Sequence, residues 1–376
     1  MRIGIITFHA AFNYGSMLQA YALQTFLEKK GHQVEIINFR PEIQKKTYSK
    51  PLKWNDKGNI ILSFKRIVFS PIEVCKLYRK WYLFNTFLHR YLHLSKEFTS
   101  LNDLKGHNFD IDLLITGSDQ IWNTDAFDFS EAYFGKFVSD ETNKIAYAPS
   151  MGPEPENQNV SYLKKMLQGY SAVSVREERT KQFLVSNHIF SNVDVVLDPT
   201  MLLDGSDYDS LYDKKPLINE DYIFYYTPGG ARHEFLEIAD KLGEKFNLPV
   251  IVENSYTPGD LKKYHHIKSY SAVGPSEFLN LVKNAKIVCG ASFHLIVFAI
   301  IFKKKFFCIN GDVDSRLNHL MKITGNQDRI ISTKSPINFF KTESHFQDFR
   351  KYSENFLVDS INSIYFRKED NNADYK

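Results

Sequence analysis

The sequence predicts an α/β fold of two domains that face each other across a cleft, each domain built on a parallel sheet. Three observations lead to this prediction. Short apolar runs alternate with helical segments through both halves of the chain, as in a parallel sheet with crossover helices. The length of 376 residues exceeds what a single compact core usually holds. Polar motifs follow the apolar runs, and ligands of such sheets bind outside the carboxyl ends of the strands.

The first domain is expected to cover residues 1–210. Its first strand leads into an amphipathic helix that ends at Gly31, because glycine readily takes the left-handed conformation that closes a helix. A second strand follows at once, and this alternation of strand and helix predicts a parallel sheet. The strands predicted in this half are 2–8, 33–38, 111–116, 144–148, 172–175 and 193–197, and the helices are 15–30, 157–168 and 177–187.

A polar stretch without regular period, at residues 204–220, marks the boundary to a second domain at 211–340. We expect a C-terminal helix at about 345–366 to pack back on the first domain. The second half repeats the alternation of strands and helices. Its predicted strands are 222–226, 249–253, 285–289 and 306–309, and its helices are 232–246, 275–284 and 295–302.

Composition excludes several classes of protein. The net charge of +3 is too small to indicate a nucleic-acid partner. Cys75, Cys289 and Cys308 form no C-x-x-C pair, so we expect no zinc site. The last two lie in apolar runs as buried thiols, which favours a reducing compartment. With neither a signal peptide nor an apolar run of about 20 residues, the chain is expected to be cytoplasmic.

An insertion at residues 41–96 breaks the alternation, because it contains twelve basic residues and only three acidic ones, interleaved with aromatics. Two interpretations stay open. Basic and aromatic side chains together suit a helix that rests on anionic lipid at the inner face of the cell membrane. Alternatively, the helix is solvated and its aromatics pack on their own domain. Nucleic-acid binding is disfavoured, since no known binding motif accompanies the charge.

The most informative motif is C-G-A-S-F-H-L, which begins at Cys289, because His294 stands where a predicted strand turns into a helix. A histidine there can meet a ligand beside backbone N–H groups that attract anions. The alternative is a histidine that caps or packs at the start of the helix. Ser292 belongs to the same turn.

Two loops of the first half carry polar residues at predicted carboxyl ends of strands. Asn13 and Tyr14 follow the first strand, without the glycine pattern of a dinucleotide or P-loop site. In the motif that begins at Gly117, Asp119 and Gln120 are candidates to hydrogen-bond sugar hydroxyls. Trp122 would offer a stacking face. The alternative is a helix cap with a buried tryptophan.

Two arginines are candidate anion ligands. Arg176 ends a predicted strand, and its planar fork matches a carboxylate or phosphate. Its partner is either a ligand or a nearby acid, Glu177 or Asp198. Arg316 is either a second anion clamp or an ordinary surface arginine. Since these residues, the Asp119 loop and His294 come from both halves, a functional cleft between the domains is expected.

Taken together, these motifs resemble the polysaccharide pyruvyl transferase family. The matching pieces run in the family's order over about residues 1–330: N-Y-G at 13–15, L-Q-A-Y-A-L-Q at 18–24, G-S-D-Q-I-W-N at 117–123, S-V-R-E at 174–177, L-D-P-T at 197–200 and S-F-H at 292–294. The resemblance implies two Rossmann-like domains of the GT-B type. It places Arg176 and His294 in the donor site, with Ser292 where some members carry an arginine. Leu295 stands where the family usually has glycine.

The resemblance further implies that pyruvate is transferred from phosphoenolpyruvate, a co-substrate, to two hydroxyls of a sugar. The product is a ketal on a cell-surface polysaccharide or its lipid-linked precursor. Arg176, with Arg316, would hold the donor. His294 would act as acid or base, or bind the departing phosphate while Asp119 handles protons. Asn13, Tyr14, Gln120 and Trp122 would bind the acceptor, and no metal or cofactor is implied.

Two other functions remain open at this stage. One is a GT-B glycosyltransferase that uses a nucleotide sugar. The other is a catalytically degenerate member that binds glycans or membranes through the insertion.

Overall fold

The fold is organised by two parallel sheets of six strands each, and the predicted fold class is confirmed. The computed structural model describes residues 1–53, 57–152, 154–229, 232–253, 258–332 and 344–373. The strands of the first sheet are β1 Arg2–Ile6, β2 Gln33–Ile36, β3 Leu113–Thr116, β4 Asn143–Ala146, β5 Tyr170–Val175 and β6 Val193–Val195. Those of the second are β7 Ile223–Tyr226, β8 Val250–Glu253, β9 Ile267–Tyr270, β10 Ile287–Gly290, β11 Lys305–Ile309 and β12 Ile330–Ile331.

Both sheets have the strand order of a doubly wound fold. The first runs β2-β1-β3-β4-β5-β6, and the second runs β12-β11-β10-β7-β8-β9. Ile5 of β1 lies beside Ile36 on one side and Ile115 on the other, which fixes the register of the central strands. In each sheet, the order changes direction between two neighbouring central strands. Their connections therefore leave toward opposite sides and open a crevice at the carboxyl edge.

Helices cover the sheets and fill the space between them. The helices are α1 Tyr14–Lys29, α2 Glu42–Thr47, α3 Lys57–Phe69, α4 Pro71–Tyr91, α5 Leu101–Lys105, α6 Val160–Met166, α7 Glu178–Ser186, α8 His233–Phe246, α9 Pro258–Leu261, α10 Pro275–Asn284, α11 Phe293–Ile301, α12 Ser315–Ile323 and α13 Gln347–Ala373. Short 3₁₀ turns include one at Pro199–Leu202. No described helix is long and apolar enough to cross a membrane.

Helices α1 and α11 are buried on nearly all sides, because each lies between its own sheet and the other domain. The residues of α11 from His294 to Ile301 are all buried. Helix α1, predicted to be amphipathic, also has few exposed positions. It contacts α10, α11 and the turn at Pro199–Leu202. A helix that is apolar all round needs such a position, and one hydrophobic core therefore continues from the first sheet into the second.

The C-terminal helix α13 crosses back and packs against β5 and the turn at Pro199–Leu202. The backbone N–H of Leu197 donates to the hydroxyl of Ser353 at 2.9 Å. Arg350 forms an ion pair with Asp204 at 2.6 Å. These contacts join the end of the chain to the strand edge on which the candidate site lies.

The hydrogen bond between Leu197 and Ser353 yields a stability prediction. Ser353→Ala leaves a buried backbone N–H without its acceptor, which should lower the free energy of unfolding by about 1–3 kcal/mol. Ser363→Ala on the same helix is the matched control. Its exposed hydroxyl donates only to Ser360, so a change within about 0.5 kcal/mol is expected. Urea unfolding measures both, and equal effects would contradict the prediction.

Candidate active site

The candidate site lies where both sheets change their strand order. β1 and β3 are neighbours in the first sheet, as are β7 and β10 in the second. The loops after β1 and β3 carry Asn13 and Asp119, and the turn after β10 carries Ser292 and His294. Ligands of open α/β sheets bind at such points, so the topology alone brings these loops to one crevice.

Arg176 is held in the crevice by two carboxylates and an aromatic ring. Its Nε donates to Glu177 Oε1 at 2.8 Å, and its Nη1 donates to Asp198 Oδ2 at 3.1 Å. The guanidinium carbon lies 4.4 Å from the centre of the Phe293 ring, which belongs to the second domain. Burial alone would lower the pKa of Arg176, but Glu177 and then Asp198 raise it above its ordinary value. The guanidinium is therefore charged and fixed in orientation.

Asp198 is the most heavily bonded acid of the site. Its Oδ1 accepts from the backbone N–H of Thr200 at 3.0 Å and from the Thr200 hydroxyl at 2.7 Å. Its Oδ2 lies 3.3 Å from the hydroxyl of Ser118 and 3.5 Å from Nε2 of His294. Burial alone would raise the pKa of Asp198, but His294, Arg176 and the Thr200 hydroxyl hold it well below its usual range. The carboxylate is therefore ionised.

His294 is pressed against the first turn of α1. A Cβ built on Gly15 would lie only 1.9 Å from Nδ1 of His294, so only glycine leaves room for this imidazole. Nε2 is buried and has no well-formed hydrogen bond within the described residues. The 3.5 Å to Asp198 is an ion-pair distance and is longer than a usual hydrogen bond. Among the described residues, Nε2 therefore has an unused hydrogen-bonding position beside Asp198.

Two helix N-termini converge at this contact. Asn13 caps α1 by accepting from the N–H groups of Gly15 and Ser16 at 2.9 and 3.3 Å. Ser292 caps α11, and its hydroxyl accepts from Leu295 at 3.4 Å. Each N-terminus carries partial positive charge. Because two carboxylates already compensate Arg176, these termini supply much of the field that an anion would experience.

Asp119 lies on the other side of the first helix turn. Its Oδ2 accepts from the hydroxyl of Ser16 at 2.5 Å, and its carbonyl accepts from the N–H of Ser150 at 2.8 Å. Its φ of 70° is in the left-handed region. The loop is held from below by Gln19, whose amide oxygen accepts from Ser118 at 3.2 Å. A carboxylate that retains 7% exposure in this position can still reach a ligand.

Two of the residues predicted to bind the acceptor lie in the core. Trp122 is fully buried and stacks on Phe134 with ring centres 5.4 Å apart, so it offers no face to a sugar. Tyr14 is buried between the domains, where it stacks on Phe278 at 4.6 Å and its hydroxyl donates to Val273 at 3.3 Å. The structure corrects both assignments, because the apolar rings gain more from burial than from exposure.

The other two predicted acceptor residues lie at the surface of the crevice. Asn13 is exposed, although its side-chain oxygen caps α1. Gln120 is half-buried on the Asp119 loop. Their part in binding stays a prediction.

Arg316 is paired within its own turn. Its Nε and Nη2 donate to the carboxylate of Asp314 at 3.1 and 2.6 Å. Among the described contacts, none joins it to Arg176 or His294. The carboxylate occupies the fork that a donor phosphate would use, so the structure does not favour a second anion clamp.

Sequence reasoning did not assign roles to Ser16, Ser118 or His319. His319 lies on α12. Burial lowers its pKa, the nearby carboxylate of Glu177 opposes this shift, and Arg176 adds to it. Nε2 of His319 and Oε2 of Glu177 are buried without hydrogen-bond partners in the described structure. Because β5 and α12 lie far apart in the sequence, no local pattern indicated that Glu177 and His319 are close.

A separate cavity lies elsewhere in the molecule. A volume of about 840 Å³ adjoins the amino ends of β10 and β11 and the last turn of α11. His294 begins that helix, so the two sites are separated by its length of about 13 Å. The cavity is therefore distinct from the crevice. Within the described residues, no cluster of histidine, cysteine and acidic side chains could hold a metal ion.

The fold and the site define a two-domain α/β protein in which Arg176, Asp198 and His294 cluster where the two domains meet. A model of the polysaccharide pyruvyl transferase family matches residues 13–313, and the chain belongs to this family. No curated protein matches the chain.

Several solved structures of low identity are similar to the chain to different degrees. UDP-N-acetylglucosamine 2-epimerase from Rickettsia bellii is 10% identical, with a TM-score of 0.52 over 97% of both chains. An alpha-glucosyltransferase in complex with UDP and DNA is 11% identical, with a TM-score of 0.48 over 98% of both chains. The E. coli heptosyltransferase WaaC is 11% identical, with a TM-score of 0.38 over 82% of this chain and 88% of that one. At this identity, the epimerase shows the two-domain fold alone.

The contact between Gly15 and His294 predicts a specific double-mutant result. Gly15→Ala should lower the free energy of unfolding by about 1–3 kcal/mol, because a methyl group would overlap the imidazole. In a His294→Ala background, the same change should cost much less, since the ring is gone. Gly106→Ala is the control, as its nearest neighbour would lie at 3.5 Å. Additive effects in urea unfolding would contradict the contact.

The buried carboxylate of Asp198 predicts a dependence of stability on pH. Because folding lowers its pKa, the carboxylate stabilises the fold above its unfolded pKa of about 3.9. That stabilisation is lost as the pH falls below this value toward the folded pKa.

Asp198→Asn should therefore lower stability by about 3–5 kcal/mol at pH 7, since Arg176 loses a buried partner. The variant should also lose less further stability than the wild type on acidification. Asp110→Asn is the control, because its ion pair with Arg2 is exposed and is worth at most about 1 kcal/mol. Urea unfolding at pH 7 and near pH 3 measures both. Parallel acid profiles for wild type and Asp198→Asn would exclude this role.

Proposed function

We propose that the protein transfers a pyruvyl group from phosphoenolpyruvate to two hydroxyls of a sugar, forming a pyruvate ketal. The acceptor is a cell-surface polysaccharide or its lipid-linked precursor. The observation that carries the proposal is the cluster of Arg176, Asp198 and His294 at the meeting point of both domains. Family membership supports the transferase class and a sugar substrate.

Arg176 orients the donor more than it attracts it. Two carboxylates compensate its charge, yet its remaining N–H groups keep a fixed direction. Nη2, which neither carboxylate takes among the described hydrogen bonds, would donate to a carboxylate or phosphate of the donor. The N-termini of α1 and α11 would supply positive charge.

His294 has the geometry of a proton carrier. Its Nε2 is free of a well-formed hydrogen bond, and the carboxylate of Asp198 lies 3.5 Å from it. An imidazole exchanges protons readily near neutral pH. Ser16 and Asp119, at 2.5 Å from each other, form a second proton route on the acceptor side.

The reaction balances with these groups. A proton is added to the CH₂ carbon of phosphoenolpyruvate, and the neighbouring carbon becomes electrophilic. One sugar hydroxyl attacks that carbon and loses its proton, so a C–O bond forms. The C–O bond to phosphate then breaks, phosphate leaves, and the second hydroxyl closes the ketal while its proton passes to phosphate or base. His294 donates the proton to the CH₂ carbon or to the departing phosphate. Asp119 accepts the proton of the attacking hydroxyl.

The proposed place of action is the cytoplasmic side of the cell membrane. Cys75, Cys289 and Cys308 are all free thiols, which supports a reducing compartment. A lipid-linked precursor would be met at the membrane's inner face.

Calorimetric titration with phosphoenolpyruvate tests the donor site. Arg176→Lys keeps the charge and loses the fork, so affinity should fall about tenfold to a hundredfold, equivalent to 1.4–2.8 kcal/mol. Arg179→Lys is the control, since that arginine pairs with Glu156 at the surface. His294→Ala should bind the donor but lose pyruvyl transfer by about 10²–10⁴. Circular dichroism confirms that each variant is folded.

Two outcomes would overturn the proposal. One is wild-type protein that binds a nucleotide sugar but not phosphoenolpyruvate, even when candidate acceptor sugars are present. The other is an Arg176→Lys variant that binds phosphoenolpyruvate as tightly as the wild type.

A further inference from the structure

The helical hairpin of α3 and α4 exposes an unusual amount of apolar surface at its tip. Phe69 is 79% exposed and Ile72 is 71% exposed, on either side of the turn at Ser70. Large apolar side chains are rarely left so exposed in adjacent turns unless they meet a partner. The exposed apolar residues of the hairpin, here called the tip patch, are Ile60, Ile61, Leu62, Ile67, Val68, Phe69, Ile72 and Leu77.

The other half of α4 behaves differently. Phe84, Phe87 and Leu88 are buried in the core of the protein. The interpretation that the aromatics pack on their own domain therefore holds for this part of the insertion. The later aromatics pack on the fold, whereas the tip patch has no such cover among the described residues. Residues 54–56 of the insertion lie outside the described residues.

Positive charge surrounds the tip patch. Residues 57–80 contain six basic residues and one acid, Glu73. Glu73 is already paired with Lys76 at 2.8 Å, and Lys65 is exposed on α3. A second copy of the chain would bring two sets of these cations together, which disfavours a symmetric dimer through this surface. A partner that combines anionic groups with an apolar interior would match both the cations and the exposed apolar side chains.

We propose that the tip patch docks the protein on a lipid bilayer that contains anionic lipid. Apolar side chains would enter the boundary of the acyl chains, and the flanking cations would meet the lipid headgroups.

The hairpin also connects this surface to the candidate active site. Helix α4 rises about 18 Å between Ile72 and Phe84. Phe84 lies 5.3 Å from the ring of Tyr14, which precedes the Gly15 that contacts His294. Lys80 forms an ion pair with Glu253 of the second domain at 2.9 Å. Docking would therefore hold the cleft at a fixed height above the bilayer. That this height serves a lipid-linked acceptor rests on the proposed function.

Vesicle co-sedimentation without donor or acceptor tests the docking independently of catalysis. Wild-type protein should sediment with vesicles of equal parts phosphatidylcholine and phosphatidylglycerol, and far less with phosphatidylcholine alone. The double variant Phe69→Ser with Ile72→Ser should lose at least about tenfold in binding, because the buried apolar area is removed. Lys65→Gln with Arg79→Gln should weaken binding most at low salt.

Phe366→Ser is the matched control, since Phe366 is 60% exposed but lies on α13. It should bind as the wild type does. The inference fails if wild-type protein stays in the supernatant with both vesicles, or if the double variant sediments equally well. It also fails if the wild type is a dimer in solution and the double variant a monomer, which would assign the tip patch to a second copy. None of these results depends on pyruvyl transfer.

Discussion

The buried carboxylate of Asp198 is the interaction on which the candidate site depends. A charge removed from water must find partners, or the fold loses several kcal/mol. Here the partners come from separate parts of the chain: Thr200 in the following turn, Arg176 at the end of β5, Ser118 after β3, and His294 from the second domain. Satisfying one acid therefore fixes three strand ends relative to each other. It also gives the second domain a defined place against the first.

The contact between Gly15 and His294 is the steric counterpart of this charge constraint. Helices α1 and α11 can bring their N-termini together only because Gly15 has no side chain where the imidazole of His294 lies. Burial of both helices on nearly all sides follows from the same approach. The positive ends of two helix dipoles then point into one crevice. The convergence of these two helix ends is thus a consequence of how the two domains pack, and the proposed donor site rests on it.

Much of the fold could be predicted from the sequence, because parallel strands buried on both faces are continuous apolar runs. β3 and β10 are examples. β9 could not be predicted, because it lies at the edge of its sheet. Lys268 and Ser269 are exposed there, so the strand has no continuous apolar run. For the site, the position of a residue directly after a strand predicted that it lies near the crevice. It did not predict the direction in which the side chain points. Trp122 and Tyr14 follow this rule and still turn inward, whereas Arg316 closes on Asp314 two residues away. Side-chain direction depends on long-range packing that no local pattern contains.

Leu295 shows how packing also decides the meaning of a departure from a family pattern. The larger side chain in place of glycine, directly after His294, would narrow the donor pocket if it pointed toward the ligand. In the structure, Leu295 is fully buried, and its Cδ2 lies only 2.7 Å from where a Cβ on Gly290 would stand. The side chain therefore fills the space beneath the turn, and Gly290, with a φ of 159°, makes room for it. The imidazole of His294 faces Gly15 on the opposite side. Leu295 after the histidine and Gly290 before the turn therefore form one packing unit.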